Sequence, residues 1–146
     1  DHTAPYAHIP EMLAALDDRG YRMAIVSNKL QAGVSVMHRQ LYAEHVHVAI
    51  GEHAGVRRKP APDMVLEAIG QLGVKPEDCV YVGDSDVDIL TAQGAGLPCI
   101  SVLWGFRDRE FLLRHGATTL AAKPSDIVDI MDSGQVLPHP GTTQAQ

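Results

Sequence analysis

Short apolar runs alternate with amphipathic helical segments along nearly the whole chain, and no other feature constrains its fold as strongly. Residues 10–19 repeat apolar side chains at helical spacing (Met12, Leu13, Leu16), with an early proline and Gly20 as a stop. "RMAIVS" at 22–27 is a buried-strand pattern ending on the polar pair Ser27-Asn28. A helix is expected over 30–43 and a strand over 46–51. Residues 63–72 form another helical pattern behind "KPAP", closed by Gly73. A strand follows at 80–82, then a helix at 86–95, a strand at 98–104, a helix near 108–114 and a capped helix at 125–131. "FLLRHGATTL" (111–120) reads as a helix stop and turn, and Trp104 and Phe106 as packing around the last strand's end. Strands alternating with helices of about ten residues imply an α/β fold, a parallel sheet with helices on both faces. Residues 1–132 are assigned to this one domain. Residues 133–146, which lack periodicity, are expected to form a tail.

Composition narrows the function classes. The chain has 146 residues, 45% hydrophobic and 21% charged, with a net charge of −6. That is enough for one sizeable core. The acidic balance argues against nucleic acid or an anionic membrane as partner, because both select a basic face. No apolar run approaches the roughly 20 residues of a membrane span. No secretory signal marks the N-terminus, and Cys79 and Cys99 sit in apolar strand-like runs. Both points lead to a cytoplasmic expectation with reduced thiols. The eight histidines include no HExxH or Cys/His zinc spacing.

Open α/β sheets bind ligands beyond the carboxyl ends of their strands. That rule selects Ser27-Asn28, the "VGDSDVD" stretch beginning at Val82, and Lys59 in the loop after the second strand. A hydroxyl with backbone N–H groups suits phosphate oxygens, and a lysine balances the charge of a phosphoryl group in transfer. Carboxylates beside a phosphate repel it unless a hard divalent cation lies between them. The rim is therefore expected to support Mg2+-assisted phosphoryl chemistry. Asp84, Ser85 and Asp86 could instead simply cap the helix that follows.

The order "IVSN", "KPAP", "VGDSDVD" resembles the haloacid dehalogenase-like hydrolase superfamily, nearest its phosphoglycolate phosphatase-like members. "TAPY", "SNK" and "AGLPCISVLWG" extend the resemblance over residues 3–131. It implies a Rossmann-like core and a small phosphorylated substrate. It further implies that Ser27 and Asn28 bind the transferring phosphoryl group and that Lys59 steadies it. Asp84 would ligate Mg2+, and Asp88 would be a second ligand or would orient a metal-bound water. Asp86 matches no metal position and is expected to face solvent.

One departure matters. Family members carry an earlier strand ending in DxDx(T/V), whose first aspartate is the nucleophile, and this sequence has no such segment. The resemblance places that strand between the ones ending at Ser27 and Asp84, followed by a cap domain. The sequence begins at Asp1 rather than methionine, so a fragment of a longer parent is expected. Alone it would form no aspartyl-phosphate. The chain is then expected to be marginally stable, or completed by a partner polypeptide. The alternative is a non-catalytic remnant or interaction module of the same fold. A nucleotide-binding domain is the weakest reading, as neither GxGxxG nor a Walker lysine motif occurs.

Overall fold

The computed structural model describes residues 8–137. Helix α1 (Ile9–Asp18) leads into strand β1 (Ala24–Leu30), helix α2 (Gln31–Met37) with a π-helical extension (His38–Tyr42), and strand β2 (Val48–Glu52). Helix α3 (Asp63–Leu72), strand β3 (Tyr81–Gly83) and helix α4 (Asp86–Ala95) form the centre. Strand β4 (Cys99–Val102), helix α5 (Arg109–Arg114), strand β5 (Thr119–Ala121) and helix α6 (Pro124–Ser133) complete it. The α/β alternation expected from the sequence is present, and every strand pairing is parallel.

Two elements differ from expectation. Residues 119–121 are a strand, which adds β5 to the edge beside β4. The expected helix at 30–43 starts only after β1 has continued to Leu30. Within the expected tail, Leu137 is buried and packs with Leu16 and Met131. The remainder of the expected tail, from 138 on, lies outside the described residues.

The strands form two separate sheets, β1-β2 and β3-β4-β5. One core lies on each face. Leu16 of α1 and Ile127 and Met131 of α6 pack on Ile100, Val102 and Ala121. The opposite face carries Val65 and Ile69 of α3, Ala92 of α4 and Tyr81 of β3, with Val26 of β1 packed against them. Alternate residues of a strand point to opposite faces, so these two clusters follow from the strand period. The second cluster contains residues of both sheets, so α3 and α4 hold the halves together with no strand of the described residues between them.

Between β1 and β3 runs a cavity of about 930 Å³, walled by Ala24, Ile25 and Val26 on one side and Val80 and Val82 on the other. Strands of a doubly covered parallel sheet are normally buried on both faces. Here no residue of β1 is fully buried, and Val82, in the middle of β3, is 44% exposed. Among the described residues no strand fills this slot.

Cys79 and Cys99 are free thiols, as expected. Burial first, then nearby carboxylates, push the Cys79 thiol up to about 11. Burial likewise carries Cys99 to about 11, against the opposing Ser101 hydrogen bond. Iodoacetamide labelling at pH 8 is expected to run roughly 100-fold slower than in the unfolded chain, since thiolate is the nucleophile. The stability linked to these thiols is complete below the unfolded value of about 8.5 and is lost as pH rises towards the folded value. Equal labelling rates in native and denatured protein would refute this. No helix among the described residues is long and apolar enough to cross a membrane.

Candidate active site

The rim at the carboxyl ends of β1 and β3 is built around Asp88, in the first turn of α4. Ser85 caps that helix, accepting the Asp88 N–H at 3.3 Å and donating its hydroxyl to Asp88 Oδ2 at 3.1 Å. Ser85 is thus an ordinary hydroxyl N-cap that also donates to the side chain three residues on. Asp84 N–H also donates to Oδ2, at 2.9 Å. Oδ1 accepts Lys59 Nζ at 2.9 Å and the Tyr81 hydroxyl at 2.7 Å. Each Asp88 oxygen therefore has two donors, which uses the lone pairs a carboxylate offers. The backbone must come close for this. A Cβ at Gly83 would lie 2.3 Å from the Asp88 Cβ, so only glycine fits there.

Asp88 and Lys59 are largely buried, with 9% and 14% of their side chains exposed. Burial alone would raise the Asp88 carboxyl. The Lys59 charge and the hydrogen bonds from Tyr81, Lys59 and the Asp84 N–H outweigh it and hold Asp88 below the usual carboxylate range. Tyr81 shifts the other way, because burial and then the Asp88 charge push its phenol far above its ordinary value. It remains a neutral donor. Lys59 Nζ also donates to the Tyr81 oxygen at 3.1 Å, which leaves one of its three N–H groups for another acceptor.

Asp84 is arranged differently. Its Oδ2 accepts the Phe106 N–H at 3.2 Å, and no donor among the described residues engages Oδ1. Gly105 allows this approach, since a Cβ there would stand 2.2 Å from Asp84 Oδ2. Asp84 thus presents one open carboxylate oxygen, which suits a hard cation, whereas Asp88 has no lone pair to spare. Among the described residues no three His, Cys, Asp or Glu side chains form a group able to hold a metal by themselves. A cation here would need further oxygens.

Across the slot, β1 carries Ser27 and Asn28. Its pairing with β2 slips between Val26 and Leu30, a bulge that spans both residues. Bulges re-aim side chains at strand ends and are common next to active sites. Ser27 Oγ accepts the Lys29 N–H at 3.2 Å. The Asn28 amide faces residue 59, accepting its N–H at 2.8 Å and donating to its carbonyl at 3.1 Å. Lys59, Asp84 and Asp88 all line the slot, and Ser27-Asn28 directly follow Val26 of its other wall.

Haloacid dehalogenase-like hydrolase is the description of the family whose model matches residues 1–102. The chain belongs to this family. Among curated relatives, the phosphoglycolate phosphatase of Aquifex aeolicus is 32% identical over 133 residues, covering 90% of the chain and 61% of the relative. The N-acetylmuramic acid 6-phosphate phosphatase of Pseudomonas aeruginosa is 33% identical over 130 residues, covering 88% and 58%. A crystal structure from Lactobacillus delbrueckii subsp. bulgaricus, provisionally identified as a phosphoglycolate phosphatase, superposes with a TM-score of 0.80 at 40% identity. It covers 82% of this chain and 50% of that one. This haloacid dehalogenase-like chain thus spans about three-fifths of the curated relatives' length, 61% and 58%.

Several contributors to the site went unseen in the sequence. Tyr81 reads as an ordinary strand residue, and only the strand period, which turns it toward α3 and α4, could have singled it out. Phe106 was expected to pack, yet it is 78% exposed, and its backbone is what meets Asp84. Asp86 was expected to face solvent. It is half-buried, with Arg107 Nε 3.9 Å from Oδ1.

Proposed function

We propose that this polypeptide forms most of the core of a Mg2+-dependent phosphatase for small phosphomonoesters, of the phosphoglycolate phosphatase type. The observation that carries this reading is the convergence of Lys59, Asp84 and the end of β1 on the mouth of an apolar slot. Ser27 hydroxyl and the last N–H of the Lys59 ammonium bind the phosphoryl oxygens. Asp84 would hold Mg2+ through its open oxygen, with further oxygens needed from substrate, water and the supplied carboxylate. The ion, when bound, neutralises phosphoryl charge. Asp88 orients Lys59 and the Asp84 loop. The slot accepts an extended apolar segment whose last residues carry the nucleophilic aspartate, supplied by the parent polypeptide or by a partner chain. The two free thiols agree with a cytoplasmic setting.

The test is turnover of 2-phosphoglycolate and p-nitrophenyl phosphate with Mg2+. The chain alone is expected to show none. Joined to an apolar strand segment ending in Asp-x-Asp, it is expected to turn over both, with activity at least 100-fold lower in Asp84→Asn and on removal of Mg2+. Turnover by the chain alone would refute the need for a supplied nucleophile. Segment binding without any turnover would instead favour the non-catalytic interaction module, which the open slot also suits.

A further inference from the structure

We infer that the Asn28 side chain is a positioning group acting through Lys59, and not itself a phosphate ligand. The inference rests on the phosphate-site reading above and assigns this side chain a different part in it. The Asn28 amide pairs with the peptide unit on both sides of the residue 59 Cα, accepting the N–H at 2.8 Å and donating to the carbonyl at 3.1 Å. Two antiparallel bonds from one planar group fix both the place and the rotation of that backbone, as a rung of a strand ladder would. Residue 59 needs such a rung. It lies in the loop between β2, which ends at Glu52, and α3, which starts at Asp63, and no strand neighbours it.

The loop's other ties stand beside residue 59. Arg57 N–H and guanidinium bind Asp63, and Ala61 N–H binds the Arg58 carbonyl. At its far end the Lys59 ammonium is held by Asp88 and Tyr81. Lys59 is therefore fixed at both ends, by β1 through Asn28 and by β3 and α4 through Tyr81 and Asp88. A long flexible side chain so restrained loses its freedom before a ligand arrives, and the ammonium is pre-aimed. The β1 bulge that turns Asn28 toward this loop belongs to the same device. With its side-chain oxygen and one amide N–H committed to residue 59, the Asn28 side chain keeps a single N–H for any other acceptor.

A double-mutant cycle on the full chain separates positioning from direct ligation, because residues acting through one another are non-additive. The readout is the dissociation constant of inorganic phosphate, from NMR shift titration of wild type, Asn28→Ala, Lys59→Ala and the double variant. Expected weakening is about 5-fold, about 10-fold and about 10-fold respectively, the double matching Lys59→Ala within about 2-fold. A double variant weakened about 50-fold, the product of the singles, would overturn the inference. Backbone amide exchange supplies a second arm. The Lys59 N–H should exchange at least about 10-fold faster in Asn28→Ala, with β3 and β4 amides unchanged. Unchanged protection at Lys59 would sink the clamp. Asn28→Ser, too short to reach both groups, serves if the alanine variant unfolds, with the same expectations. Absence of phosphate binding in wild type would refute the phosphate site itself, and the exchange arm would then decide the clamp alone.

Discussion

Asp88→Ala is expected to lower the melting temperature by roughly 10–20 °C, the equivalent of about 3–5 kcal/mol in a domain of this size. The magnitude follows from what the substitution strands. Lys59 Nζ would stand in a largely buried place with only the Tyr81 oxygen left as acceptor among the described residues. Breaking one side of a buried pair is far more damaging than replacing both sides. The Asp84 N–H and Ser85 hydroxyl would lose their acceptor at the same time. Asp88→Asn keeps the shape and some hydrogen bonds but not the charge, and should fall between wild type and alanine. Thermal unfolding followed by circular dichroism reads both. A loss of under about 3 °C for the alanine variant would show that the pair contributes little net stability.

Filling the slot should act in the opposite direction. A synthetic peptide of about seven apolar-rich residues, the length of β1, can pair with both flanking strands and cover Val26 and Val82. Its binding is expected to raise the melting temperature dose-dependently, by about 2.7 kcal/mol of added stability at a hundredfold excess over Kd. Val82 should be the most sensitive reporter. It is 44% exposed on a strand whose neighbours are covered, so its methyl resonances should move on binding. Val82→Asp, which sets a charge in the apolar wall, should abolish the rise. A peptide of the same composition in scrambled order is the control. No stabilisation by the designed peptide, or equal stabilisation by the scrambled one, would show that the space between β1 and β3 is not a strand site.

These two effects sit where the sequence was respectively eloquent and silent. The spacing of Asp84 and Asp88 on one helix start was visible, because a short motif carries its own geometry. The bonding of Asp88 was not, since its partners Lys59 and Tyr81 are 29 and 7 residues away. Strand β5 went unrecognised for a related reason. Three residues are too few for a period, and Thr119–Ala121 become a strand only by lying beside β4. Helices α3 and α4 were legible to the residue, α3 from its apolar stripe and its glycine stop, α4 from the polar cluster that opens it and the glycine that follows it. Gly73 and Gly96 take left-handed backbone at those ends, with φ of 73° and 77°.

Local pattern in the chain was enough for the alternating parallel architecture and the family, and it singled out Ser27, Asn28, Lys59, Asp84 and Asp88 as candidates. These are properties of local pattern and of short motifs in a set order. What those residues touch was set by how distant segments pack. That packing gave Asn28 to the Lys59 backbone, filled both oxygens of Asp88, left one oxygen of Asp84 open, and set Phe106 at the surface with its N–H on Asp84. It also parted β1 from β3 around an apolar slot. Hydrogen bonds and voids arise between segments distant in the chain, and their geometry exists only once the helices have packed the two half-sheets together.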